Sequence, residues 1–208
     1  METLQFQIMK NVIKNTKKGI LMVALLATVT GFADDSNINL ITKGDKKTAV
    51  TLVDVKQGHL LTIKDVNGLT LYKETIEKSG VYSKGFDLTA LPNGDYFFEL
   101  DKDVEIKVMP FFVSSNNIKF DNSKEVIFFK PITRIENDLV YISKLSINKE
   151  ALSISVFFET PLKESELVYY EKIDNGTMLS RIYKLERKGN YKIVYHSQGR
   201  EFTEFINN

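Results

Sequence analysis

FDLTALPNGDYFFEL, Phe86 to Leu100, is the stretch on which the fold turns. Pro92 restricts the backbone, and Asn93-Gly94 supplies a reversal because Asn and Gly tolerate the angles of tight turns. Tyr96, Phe98 and Leu100 then alternate onto one face of an extended chain, since successive strand side chains point to opposite faces. The segment reads as a turn that aims a core strand.

The same grammar runs outward in both directions. Short runs of β-branched and aromatic residues separated by turn signals predict strands at Ala49–Val55, His59–Asp65, Leu69–Ile76, Tyr82–Leu88, Tyr96–Asp101 and Val104–Val113. Beyond the polar segment SSNNIKFDNSK, Ser114–Lys124, the pattern restarts. Strands are expected at Val126–Phe129, Leu139–Ile147, Leu152–Phe158, Leu167–Ile173, Met178–Leu185, Tyr191–Tyr195 and Arg200–Ile206. Asn67-Gly68 and Asn175-Gly176 are hairpin signals. The fold class is therefore all-β.

The two halves follow the same order. A strand, Asn67-Gly68, a strand and later Gly94-Asp95-Tyr96 lead into a terminal hairpin in the first; Asn175-Gly176 and Gly189-Asn190-Tyr191 do so in the second. This favours two tandem immunoglobulin-like antiparallel β-sandwiches, with one continuous sandwich as the other reading. The expected boundaries are a polar lead-in at 34–48, a first sandwich at 49–117, a junction at 118–130 and a second sandwich at 131–208.

The first 33 residues read differently. Lys10, Lys14, Lys17 and Lys18 precede the uncharged run Ile20–Ala33, which is too short for the roughly 20 residues of a membrane-spanning helix. A basic segment, a short apolar core and a small residue at its end predict a signal peptide cut after Ala33. Met9-Lys10 would open a more ordinary leader than Met1. Removing these residues takes four of the 28 basic and one of the 27 acidic groups, leaving 24 against 26. With so balanced a charge, no nucleic-acid partner is expected. The chain has no cysteine, which excludes a thiol nucleophile, a cysteine zinc site and a lipid-acceptor cysteine. An exported protein without a span in its mature chain is expected, in the periplasm, on the cell surface or outside the cell.

LTIKDVNGLTLYKETI followed by FDLTALPNGDYFFEL resembles the immunoglobulin-like modules of secreted Bacteroidetes proteins, including the sorting domains of the type IX secretion system. The likeness covers residues 51–113. It is carried by Asp65-Val66-Asn67-Gly68, Asp87-Leu88 and Leu91-Pro92-Asn93-Gly94-Asp95-Tyr96. The resemblance implies a sandwich in an exported protein. A sorting domain ends its protein, whereas here nearly one hundred residues follow the matching segment.

Chemistry is sparse in the sequence. His59 and His196 stand alone in strand contexts, with no nucleophile elbow or HExxH beside them. Asp101 and Asp103 flank Lys102 without the length or glycine placement of a calcium loop. Glu159, Glu164, Glu166 and Glu171 lack an evident cleft of the kind a glycosidase pair needs. No catalytic, cofactor-binding or metal-ligating residue is assigned, and no cofactor is expected.

Aromatic residues carry more information. Phe97-Phe98, Phe111-Phe112, Phe128-Phe129, Phe157-Phe158 and Tyr169-Tyr170 are adjacent pairs, so each pair cannot lie wholly in one core. At least some members must meet solvent, the other half or a partner, and Phe97, Phe111, Phe128, Phe157 and Tyr169 are the candidate surface. Structural turns are expected at Asn67, Gly68, Asn93, Gly94, Asn175, Gly176 and Gly189. The function expected is a non-enzymatic structural or protein-interaction module, with a carbohydrate-binding module using exposed aromatics as the alternative. The partner would be a protein or a glycan.

Overall fold

A computed structural model of the chain describes residues 39–42, 48–115, 117–160 and 164–208. The expected signal peptide lies outside the described residues.

Sixteen strands are found among them, all paired antiparallel. The first seven are β1 (Asn39–Thr42), β2 (Thr48–Val55), β3 (Leu60–Asp65), β4 (Thr70–Thr75), β5 (Gly80–Phe86), β6 (Gly94–Asp101) and β7 (Glu105–Ser114). Sheet I has the order β1-β2-β5, and sheet II runs β4-β3-β6-β7. Two short strands, β8 (Asn117–Phe120) and β9 (Val126–Phe129), share the remaining edge of β7, β8 along Phe111–Ser114 and β9 along Glu105–Val108. Residues 118–130, expected to be a junction, thus extend sheet II. Polar composition suggested a linker, but Ile118, Phe120 and Val126–Phe129 supply enough apolar side chains to cover an otherwise bare edge.

The remaining strands are β10 (Ile132–Glu136), β11 (Leu139–Leu145), β12 (Leu152–Glu159), β13 (Ser165–Ile173), β14 (Met178–Lys184), β15 (Asn190–Ser197) and β16 (Arg200–Asn207). Sheet III is β10-β11-β14 and sheet IV is β13-β12-β15-β16. Counted within its own half, each seven-strand set has one order: first, second and fifth strands in one sheet, and fourth, third, sixth and seventh in the other. This is an immunoglobulin-like sandwich arrangement.

Asn67-Gly68 closes the β3–β4 hairpin as expected. Asp65 Oδ1 accepts from the amides of Asn67 and Leu69, both at 2.9 Å. Asn175-Gly176 does something else. The strands on either side of it do not pair, because β13 joins β12 in sheet IV while β14 joins β11 in sheet III. The Asn-Gly signal there marks a reversal between layers, and a local turn signal is the same for both geometries.

Alternation fills two apolar clusters. One contains Val50, Leu52, Leu61, Ile63, Phe86, Tyr96, Phe98, Leu100, Met109 and Phe111 from sheets I and II. The other contains Val140, Ile142, Leu152, Ile154, Val156, Leu179, Tyr191, Ile193 and Tyr195 from sheets III and IV. Tyr195 crosses its layer to put its hydroxyl 2.6 Å from Thr133 Oγ1 on β10, and burial pushes that phenol up to about 12.

The role of Pro92-Asn93-Gly94 is now explicit. Tyr96 donates its hydroxyl proton to the carbonyl of Pro92 at 3.0 Å, and Asn93 Oδ1 accepts from the amide of Ser115. The ring at the start of the sixth strand therefore ties down the corner that delivers it, a tyrosine corner. The second half repeats the device. Tyr191 donates to the carbonyl of Arg187 at 2.8 Å and accepts from the Arg187 amide at 3.2 Å. The Gly-x-Tyr spacing shared by the two halves is the sequence trace of these corners.

A second device also recurs, at the edge where the fourth strand of each half meets the fifth across the layers. Glu74 on β4 accepts from Tyr72, from the Tyr82 hydroxyl and from the Lys84 ammonium, the last two at 2.8 Å. Glu171 on β13 is gripped by Arg181 at 2.6 Å and by the Tyr183 hydroxyl at 3.0 Å. Each clasp uses one carboxylate, one cation and at least one phenol to tie two sheets together.

Candidate interaction surfaces

The five aromatic residues expected at the surface do not converge. Phe97 points outward from β6, half-buried, opposite Lys64 and Pro110. Phe111 faces inward, opposite Tyr96 and stacked on it at 5.6 Å between ring centroids. Its neighbour Phe112 is the exposed member of that pair. Tyr169 also belongs to the interior edge, its ring against Tyr183 and its hydroxyl donating to the Lys184 carbonyl at 2.9 Å, so Tyr170 is the outward member. In the Phe111-Phe112 and Tyr169-Tyr170 pairs the two members take opposite faces. Which member turned outward was set by cross-strand register, which a single strand does not carry.

Phe128 lies outward on β9, opposite Ile106, and meets the second half of the chain. The Arg200 guanidinium rests 4.3 Å from the centre of its ring, a favourable cation–π position. Arg200 Nη2 also donates to Glu99 Oε2 at 2.7 Å, while Lys64 Nζ donates to Glu99 Oε1 at 2.8 Å. Burial alone would raise the Glu99 pKa. The hydrogen bonds and charges of Arg200 and Lys64 outweigh it and hold the carboxyl below its ordinary value. Thr62, Glu99 and Ile106 share the outward parity of sheet II yet are buried here. The corresponding face of the first half is thus largely occupied around this ion cluster.

Sheet IV is open by contrast. Its outward side chains form three rows across β13, β12, β15 and β16: Leu167, Phe157, Lys192, Phe205; then Tyr170, Ser155, Val194, Thr203; then Lys172, Ser153, His196, Glu201. Phe205 is 70% exposed and Tyr170 64%. Phe157 is half-buried, with the Lys192 ammonium 4.9 Å from its ring centre. His196 Nε2 lies 3.1 Å from Glu201 Oε2. Phe205 and Lys192 were not among the expected site residues. Phe205 has no aromatic neighbour, so adjacency missed it, although Phe202 and Ile206 packing inward already implied that it points out.

The outward face of sheet III is more apolar. Ile182 lies opposite Tyr141 and Met178 opposite Leu145, with Arg134 stacked 4.5 Å above the Tyr141 ring. Ile182 and Met178 are both more than half exposed.

Several titratable groups are engaged in structural contacts. His59 is buried beside β3. Its Nδ1 accepts from the Lys56 amide at 3.1 Å, which leaves the proton of the neutral ring on Nε2. Nε2 stands 3.5 Å from Asp103 Oδ1, a charge contact at the outer limit of a hydrogen bond, and it is otherwise unpartnered. Burial lowers the His59 pKa against the opposing pull of Asp103. Glu166 pairs with Arg187 at 2.8 Å, and Glu171 is consumed by its clasp. No group of three metal-ligating side chains occurs among the described residues. Nor is any helix among them long and apolar enough to cross a membrane.

No protein-family model matches the sequence, and a search of curated proteins finds no significant match. Solved structures similar to the chain include a biofilm-associated protein BSP domain, at 13% identity and a TM-score of 0.25, covering 78% of this chain and 27% of that one. Another is a glycosyl hydrolase family 2 member from Bacteroides cellulosilyticus DSM 14838, at 12% identity and a TM-score of 0.26, covering 85% and 27%. The chain spans about a quarter of the length of either structure.

Proposed function

We propose that this chain is an exported, non-enzymatic interaction module that works through the outward faces of its sheets, in the bacterial envelope or at the cell surface. The observation that carries the reading is the placement of large apolar and aromatic side chains on sheet faces whose inward sides already fill two cores. On sheet III the exposed Ile182 lies beside Tyr141 and the exposed Met178 beside Leu145, with Ser143 and Ser180 between the two pairs, and apolar surface of this sort is what protein contact sites use. The engagement of Glu74, Glu99, Glu166 and Glu171 in ion pairs supports a binding role over acid–base chemistry. The basic, apolar and small-residue succession of residues 1–33 and the resemblance of residues 51–113 to secreted Bacteroidetes modules support export. The repeated strand order, tyrosine corners and carboxylate clasps support a tandem duplication, with two sandwiches joined through Arg200 and Glu99.

The test is fractionation of the native host, followed by protease treatment of intact cells while tracking the mature chain. Release into the medium or digestion on intact cells is expected of an outward-facing module. Recovery in the cytoplasm with residues 1–33 intact would overturn the export reading. A second reading, glycan binding, is favoured by the three aromatic rings that sheet IV presents from three different strands.

A further inference from the structure

We infer that Asn175 is a site of spontaneous conversion to aspartate and isoaspartate, set apart by the fold from the other two Asn-Gly pairs of the chain. The inference does not depend on the binding role proposed above.

The chemistry needs only a neighbouring amide and water. The Gly176 amide nitrogen, once it has given up its proton to solvent, attacks the side-chain carbon Cγ of Asn175. The N–Cγ bond forms, the Cγ–Nδ2 bond breaks, and Nδ2 leaves as ammonia with a proton from water. A succinimide ring results. Water then opens it, giving aspartate when it adds at Cγ and isoaspartate when it adds at the main-chain carbonyl carbon. The net reaction consumes one water and releases one ammonia, with no oxidation or reduction. Glycine suits the attacking position because no Cβ crowds its nitrogen and its backbone rotates widely.

Asn67-Gly68, Asn93-Gly94 and Asn175-Gly176 are the three such pairs in the sequence. All three asparagines are exposed, so access to water does not separate them. Restraint does. The amide must swing over the side chain of the residue before it, and a hydrogen bond that fixes either group opposes that motion. At the first pair the Gly68 amide donates to the Asp65 carbonyl at 3.0 Å, and Asp65 Oδ1 holds the amides of Asn67 and Leu69. At the second, the Asn93 side chain is held by the Ser115 amide at 3.0 Å and Gly94 is paired with Val113. The Tyr96 hydroxyl fixes the same corner through the Pro92 carbonyl.

The third pair has no such ties. The last rung of β13 is Ile173 with Leu152, and the next main-chain hydrogen bond along the chain is the one Thr177 accepts from Ser146 at 2.8 Å. Asp174, Asn175 and Gly176 lie between them with no main-chain hydrogen bond among the described residues. Asn175 Nδ2 donates only to Asp174 Oδ1, on its immediate neighbour, which moves with the same segment and leaves Oδ1 and Cγ free. The cause is topological. Because β13 and β14 belong to different sheets, no ladder continues across this turn. The layer switch that separates Asn175-Gly176 from a hairpin also leaves it unpinned. Conversion there adds a negative charge beside Asp174 and, as isoaspartate, lengthens the main chain by one carbon between sheets IV and III.

The experiment is incubation of the full chain in buffer, with and without urea, followed by mass-spectrometric peptide mapping with fragmentation that separates isoaspartate from aspartate. The Asn175 peptide should gain about 1 Da. In the folded chain it should do so about five- to tenfold faster than the Asn67 and Asn93 peptides, each of which must first lose a hydrogen bond of ordinary strength. In urea the three rates should converge. Asp65→Ala, which removes both carboxylate bonds from the Asn67 turn, should raise the Asn67 rate in the folded chain and leave that of Asn175 unchanged. An unaltered far-UV spectrum checks that this variant folds. Equal rates at the three sites in the folded chain overturn the inference. So does a faster rate at Asn67 or Asn93, an Asn175 that reacts in urea but not when folded, or an Asn67 rate unmoved by Asp65→Ala.

Discussion

The two tyrosine corners differ by one hydrogen bond, and that difference sets the stability expected of each. Tyr191 makes two bonds to the backbone of Arg187, one donated and one accepted, whereas Tyr96 makes one, to the carbonyl of Pro92. Replacing either residue with Phe keeps the ring in its apolar cluster, so no cavity forms and only the hydroxyl contacts are removed. A neutral hydrogen bond contributes a net of about 1 kcal/mol. Tyr191→Phe should therefore cost about 2 kcal/mol and Tyr96→Phe about 1 kcal/mol. The chain has no tryptophan, so urea unfolding is best followed by far-UV circular dichroism. The slope of free energy against urea should stay unchanged in both variants, because the surface exposed on unfolding is the same. A Tyr191→Phe loss no larger than that of Tyr96→Phe would refute the reasoning, since it would mean that the second bond is made equally well by water.

Other consequences follow from the ion clusters and from one glycine. Glu74 is held at about 2, first by the Lys84 hydrogen bond and then by Tyr72, against an ordinary value of 4.5. Its folded pKa is depressed, so its contribution is complete above about pH 4.5 and disappears as pH falls towards 2. Glu74→Gln should flatten the acid limb of melting temperature against pH in that window, and an unaltered limb would show that the clasp adds nothing. Arg200→Ala leaves a buried carboxylate with Lys64 as its remaining cation and should cost about 1–3 kcal/mol in urea unfolding. A change below about 0.5 kcal/mol would mark the cluster as energetically neutral. Gly189 has a φ of +141°, and a Cβ there would come within 3.1 Å of the Phe158 ring. Gly189→Ala should lose about 1–3 kcal/mol, and a melting temperature equal to the wild type would show that the corner can relax.

Local pattern was enough for the all-β class, the position of nearly every core strand and the turns that deliver Tyr96 and Tyr191 into β6 and β15. These depend on local rules: period-two alternation, the positive φ that glycine tolerates, and the short reach from a tyrosine hydroxyl to a carbonyl four residues earlier. Tertiary structure decided the rest. Asn67-Gly68 closes a hairpin while Asn175-Gly176 switches layers, because the partner of each flanking strand lies far away in sequence. Phe111 and Tyr169 turned inward and Phe112 and Tyr170 outward through register against neighbouring strands. The meeting of Arg200 with Glu99 and Phe128 joins residues about a hundred and about seventy positions apart, and charge pairing at that range leaves no local pattern to read. The outward face of sheet IV is of the same kind. Its rings come from β12, β13 and β16, and only the antiparallel pairing of those strands with β15 between them brings three unremarkable side chains onto one face.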